Sequence, residues 1–258
     1  HLSARQLYLK GFRERGHVPV NFPVDICLLR VGKTIFAAAL HQSETSNRTM
    51  NATAVSFYRR VKGKFEKYLE HQTVTARHFD CVSIAHLGFV AVVNYHDQEL
   101  NVFGDGSPVF QIHEDGRTEL VQTFGQPNQN TVHLWVHGKH VYLAHTTANV
   151  CPLYRWAGQY FDVIDQMPCY SSVHIEAFSI EQQMFVAVAN QMSPAQGKDT
   201  FSDIFLLNPD TQKLVLHQRI YIYSVSHMAY FFFEARNGRR EHFLITGNSV
   251  DEEGGKEG

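Results

Sequence analysis

The sequence predicts an all-β protein: a β-propeller of about five four-stranded blades. Three observations carry this. Aromatic residues make up 12% of the 258 residues and charged residues only 19%, a balance that favours pleated, half-buried surfaces over solvated helices. Apolar–aromatic pairs recur at Leu7-Tyr8, Phe57-Tyr58, Val109-Phe110, Leu153-Tyr154 and Ile204-Phe205. Counted between their second members, the spacings are 50, 52, 44 and 51 residues. Finally, about thirty residues after each pair comes a second apolar strand. These strands are Ile35 to Ala39, Phe89 to Val93, Val141 to Ala144, Phe185 to Ala189 and Phe243 to Ile245.

Each pair is followed by a turn signal: Gly11, Gly63, Gly116, Gly158 and Asn208-Pro209-Asp210. In the fourth unit four strands can be read outright. They are Leu153 to Trp156, Tyr160 to Gln166, Val173 to Ile180 and Met184 to Asn190, with Gly158 and Glu181-Gln182-Gln183 as turns. The last strand is apolar on both faces, as a strand sandwiched between layers must be. A lone unit cannot bury both faces, so the units stack. The propeller is expected over residues 1–250, with units at about 7–50, 57–100, 109–150, 153–195 and 204–250, and 251–258 as a flexible tail.

Asn94, Asn190 and Asn248 each sit five residues after the Phe of their strand. With Tyr154-Arg155-Trp156, Phe161 to Gln166, Glu176-Ala177-Phe178 and Phe185-Val186-Ala187-Val188-Ala189-Asn190, the fourth unit resembles the EAR (EPTP, epitempin) repeat found in the leucine-rich glioma-inactivated proteins. The second unit follows it with Tyr58, Phe65 to Gln72, Asp80 and Phe89 to Asn94; the other three diverge. The resemblance implies an extracellular protein-interaction propeller, with a receptor or matrix partner held by its face loops and a place in cell adhesion; because the propellers of that family have seven blades, the five units here are either a five-bladed ring or part of a seven-bladed one. It also implies that the chain is not an enzyme.

Charge and topology narrow the classes. Lys plus Arg is 23 and Asp plus Glu 25, so nothing global draws the chain to nucleic acid or an anionic membrane. Its apolar runs are far shorter than the roughly 18 residues of a membrane span. Two glycosylation sequons begin at Asn47 and Asn51, in a polar stretch expected to be an exposed loop, and point to a secreted glycoprotein or an ectodomain.

Candidate site residues follow. Asp25, Asp80 and Glu176 open the third strands of three units, where ring symmetry would carry them toward one axis. Converging carboxylates repel unless bound, so calcium is the cofactor expected there; the bland reading has each bracing a backbone turn. The runner-up function, a propeller-type glycoside hydrolase, would use the same axial carboxylates about 5–10 Å apart. Arg59, Arg60, Lys62, Lys64 and Lys67 form a basic hairpin suited to an acidic partner surface, protein or sulphated glycan. Cys151 and Cys169 flank the first hairpin of unit four and are expected to form a disulfide. Cys27 and Cys81 could face one another across blades or stay buried thiols. His137-Gly138-Lys139-His140 reads as a hairpin that sets its two histidines opposite one another. Val31-Gly32-Lys33-Thr34 lacks the upstream glycine and the following helix of a phosphate loop.

Overall fold

Among the described residues the alternation and turn signals resolve into eighteen antiparallel strands. The computed structural model describes residues 18–21, 23–42, 52–74, 76–94, 106–125, 129–147, 149–191, 199–235 and 238–248. The strands fall into five up-and-down sheets. The first contains β1 (Pro23–Val31), β2 (Thr34–Gln42), β3 (Ala52–Val61) and β4 (Lys64–Val74). The second contains β5 (Ala76–Ile84), β6 (Leu87–Asn94), β7 (Ser107–His113) and β8 (Thr118–Phe124). The third runs through β9 (Val132–His137), β10 (His140–His145), β11 (Val150–Trp156) and β12 (Phe161–Pro168). The fourth runs through β13 (Ser172–Ile180), β14 (Gln183–Asn190), β15 (Asp199–Leu207) and β16 (Leu214–Tyr223), and the fifth has β17 (Val225–Glu234) and β18 (Arg240–Asn248).

The sequence repeat is offset by half a sheet. Each four-stranded sheet takes its first two strands from the end of one repeat unit and its last two from the start of the next. First strands of successive sheets pack on one another, β1 on β5, β5 on β9, β9 on β13 and β13 on β17, so the sheets fan out from a central row. Leu7-Tyr8, the first of the recurring pairs, and the tail at 251–258 lie outside the described residues.

The recurring pairs have a packing reason. The four described pairs sit on the third strand of each four-stranded sheet, where side chains alternate between the two faces. Phe110 packs back onto the first sheet with Leu29, Phe36 and Phe57. Tyr154 packs back onto the second sheet with Phe89 and Val93, and Phe205 onto the third with Trp135 and Leu153. The second strands lie between first and third strands and between neighbouring sheets, and Ala37, Ala38, Ala39, Ala187 and Ala189 there are fully buried. Small residues allow the close approach: a Cβ at Gly88 would come within 2.8 Å of a Val31 methyl group.

The recurring asparagines close the second strands. Asn190 donates its side-chain amide to the Phe201 carbonyl and accepts the Tyr170 N–H, while Asn94 donates to the Gly106 carbonyl. Their own N–H groups donate to Ser202 and Ser107 hydroxyls. Gly32-Lys33 is the β1–β2 hairpin turn, and the Lys33 N–H donates to Glu114. His137 and His140 face each other across the β9–β10 hairpin as the spacing predicts.

Candidate active site at the head of the central row

Four of the five first strands begin with the same irregularity. The register slips between Pro23 and Asp25, Ala76 and His78, Ser172 and His174, and Val225 and His227. The residue just past the slip therefore occupies one structural position: Asp25, His78, His174 or His227. In the third sheet Thr131 stands beside this level, its hydroxyl 3.2 Å from His78 Nδ1. One pleat deeper the side chains are Cys27, Asp80, His133, Glu176 and Ala229; all five lie opposite the second-strand residue that also pairs with the first member of the recurring pair, where that pair is described.

Asp80 and Glu176 are thus true equivalents, whereas Asp25 lies one pleat nearer the mouth, which corrects the alignment of the three acids expected from sequence. The acids also divide their work. Asp80 accepts the Leu134 N–H of the next sheet at 2.8 Å and Glu176 accepts the Tyr230 N–H at 3.0 Å, while Asp25 is exposed and accepts its own neighbour's N–H, that of Ile26. Among the described residues no three of His, Cys, Asp or Glu are grouped to hold a metal ion.

What does gather here is an acid–base cluster. His133 Nδ1 lies 2.9 Å from Asp80 Oδ2, and its ring stacks on Trp135. The His174 and His227 rings are 3.8 Å apart between centroids. Burial lowers the pKa of His78, and His133 and His227 add to this while Asp80 and Asp25 oppose it. Burial, with the neighbouring histidines, takes His174 down to about 3. Its Nδ1 is buried with no hydrogen-bond partner. At neutral pH, His78 and His174 are therefore uncharged imidazoles, able to meet a polar ligand as donor or acceptor.

Topology places this cluster at the end from which the long connections leave. β2 ends and β3 begins beside the start of β1, as Pro23↔His41 and Gln42↔Thr53 show. The long connections at 43–51, 95–105 and 192–198 leave from this same end, and the connections at the other end are two to six residues long. Long connections around a rigid polar mouth are where ligands are recognised. Asn47 and Asn51 fall within 43–51, outside the described residues.

The basic hairpin lies at the opposite end, at the β3–β4 turn. Lys62 and Lys64 are exposed there, but Arg59 donates to the Asp115 carbonyl and Lys67 pairs with Glu70 at 3.0 Å; Arg60 also has an interaction. The disulfide expectation is corrected too. The bridge joins Cys27 to Cys81, with Cα atoms 6.3 Å apart, whereas Cys151 and Cys169 are buried free thiols. Those two lie side by side, but the Cys169 thiol turns to the Thr147 carbonyl, 3.6 Å away.

Sequence reasoning missed the histidines. Their signal was present as His78-x-Asp80 and His174-x-Glu176, two residues on one face of a strand in two units.

No family model matches the chain, and no curated protein matches it. Among solved structures it is similar to an exo-β-1,3-galactanase from Phanerochaete chrysosporium, at 9% identity and a TM-score of 0.44, covering 76% of this chain and 49% of that one. The chain thus spans about half the length of that protein. It is also similar to a periplasmic gluconolactonase of Pseudomonas aeruginosa, at 15% identity and a TM-score of 0.39, covering 86% and 77%. Both are enzymes, and the expectation of a non-enzyme is accordingly not kept. At these TM-scores neither likeness argues for its own activity here, so any catalytic assignment has to come from the cluster.

Proposed function

We propose that the chain is a propeller hydrolase acting at the head of its central row, with His133 as general base, oriented by Asp80. The observation that carries this is the 2.9 Å Asp80–His133 contact inside a mouth also lined by His78, His174 and His227. A carboxylate on Nδ1 fixes the imidazole tautomer and leaves Nε2 to take a proton from water. The neutral His78 and His174 would then hydrogen-bond the electrophile. This chemistry suits an ester or lactone. A glycosidase would need two carboxyl groups free to act as acid and base or nucleophile, and Asp80 and Glu176 each hold a neighbouring strand. The disulfide supports a location outside the reducing cytosol, and among the described residues no helix is long and apolar enough to cross a membrane.

The test is turnover by the full chain of three substrate sets: aryl esters, sugar lactones and aryl glycosides. Ester or lactone hydrolysis that falls by about 10²–10⁴ in His133→Gln, with the fold intact, supports the assignment. Unchanged turnover in His133→Gln, activity confined to glycosides, or none on any set overturns it.

A further inference from the structure

The first strands form one edge of their sheets, so on the side of the central row their backbone meets no strand of its own sheet. In an antiparallel pair only alternate residues exchange hydrogen bonds, and the N–H groups of the residues between them point the other way. Cys81, Leu134, Ala177 and Tyr230 each stand one residue past the level of Asp80, His133, Glu176 and Ala229, and they are residues of this second kind. For Ala177 the count runs from the two-residue turn Glu181-Gln182, with φ angles of +48° and +68°. Such a turn makes Ile180↔Gln183 the first bonded pair and leaves Ala177↔Val186 unbonded. The Ala177 N–H therefore faces the central row, on the side of the third sheet.

The equivalent N–H groups are taken by carboxylates. Asp80 Oδ1 accepts that of Cys81 at 2.7 Å, and its Oδ2 accepts that of Leu134 at 2.8 Å. Glu176 accepts that of Tyr230 at 3.0 Å. The residue placed to accept the Ala177 N–H is His133, and its Nδ1 is turned to Asp80 instead. The seam between β9 and β13 is tied on either side of this level. Asn130 donates to the Ser172 carbonyl at 3.1 Å, and His137 Nδ1 lies 3.0 Å from the Ser179 hydroxyl. Between these ties the Ala177 N–H has no acceptor among the described residues, and it stands beside the imidazole assigned as base.

We propose that the Ala177 N–H is the oxyanion donor of this site and that the group it receives is the carbonyl oxygen of an ester or lactone. The inference rests on the reading of His133 as general base. Water adds to the carbonyl carbon while His133 Nε2 takes one of its protons. The C=O π pair moves to oxygen, and the oxyanion so formed accepts the Ala177 N–H. On collapse the C=O bond re-forms, the C–O bond to the alcohol breaks, and the leaving alkoxide takes the proton from His133. A donor fixed on a strand edge is oriented before the charge develops, and one such donor contributes about 10²–10³ in kcat. The same donor would do nothing for a glycosidic bond, whose transition state is oxocarbenium-like and positive at the reacting carbon.

An amide-to-ester replacement at residue 177 of the full chain, lactic acid for alanine, deletes this N–H and keeps the side chain. The matching hydroxy acid at residue 230 deletes the N–H that Glu176 accepts and serves as the control. On whichever aryl ester or lactone the native chain hydrolyses, the replacement at 177 is expected to lower kcat by about 10²–10³. KM and melting temperature should stay near native. Binding of a phosphonate analogue of that substrate should weaken by a similar factor. The replacement at 230 should instead lower the melting temperature. Native kcat after the replacement at 177, with turnover still lost in His133→Gln, would overturn the donor and leave the base standing. A fall in melting temperature as large at 177 as at 230 would also overturn it, because the N–H would then be bound within the fold. Turnover indifferent to His133 would overturn both assignments.

Discussion

Cys27 and Cys81 make with a covalent bond the link that Glu176 and Tyr230 make with a hydrogen bond. Both join adjacent first strands, both start from the same structural level, and both span 54 residues. Asp80 and Leu134 repeat the separation a third time. Bridged residues 54 apart restrict the unfolded chain, and a charged acceptor holding a backbone N–H satisfies a donor that the first strand cannot pair within its own sheet.

Losing the bridge should therefore cost more than losing either hydrogen bond. Cys27→Ser with Cys81→Ser is expected to cost about 2–4 kcal/mol in urea unfolding. Added reductant should destabilise the native chain similarly and leave the double variant unchanged. A reductant effect that persists in the variant would contradict this.

Glu176→Gln keeps an oxygen acceptor for the Tyr230 N–H and should cost little. Glu176→Ala leaves that N–H unpaired, for a loss of about 1–3 kcal/mol. Equal stability of the two variants would show that the carboxylate does not brace β17.

Cys151 and Cys169 should resist modification. Both are buried, and burial raises the Cys151 thiol well above its ordinary range. Two thiols per chain should react with a thiol reagent in denaturant without reductant, and neither in the native state. None reacting in denaturant would mean that the pair is bridged.

Acid should loosen the fold through histidine. Burial takes His145 down to about 4, and His174 lies near 3, against an ordinary value of 6.5. The unfolded chain takes up protons that the folded one refuses, so stability held above about pH 6.5 falls as the pH drops toward 4. His174→Asn should make that fall shallower by up to about 1.4 kcal/mol per pH unit. A pH profile of urea midpoints that is identical in the variant would remove His174 from the account.

Much of the fold was legible because stacked sheets impose a repeat on the residues that fill the space between them. Phe57-Tyr58, Val109-Phe110 and their counterparts are aromatic or large because each third strand must bury one side chain against each neighbour. The Ala-rich second strands and the closing asparagines follow from the same geometry. The site was only partly legible. Asp80 and Glu176 could be aligned from their places before an apolar strand, but their partners Leu134 and Tyr230 belong to other sheets, and no local spacing marks a bond across 54 residues.

The sequence by itself determined the strands, the turns and the repeat, since alternation and glycine act over a few residues. Only the tertiary structure decided that Cys27 meets Cys81, that Asp25 stands one pleat above Asp80, and that His78, His133, His174 and His227 share one mouth. The register slip at the head of four of the five first strands shifts every following side chain by one place. Which residues converge on the central row therefore depends on how the sheets lie against one another; the spacings His78-x-Asp80 and His174-x-Glu176 mark residues on one strand face, not the sheets that they meet.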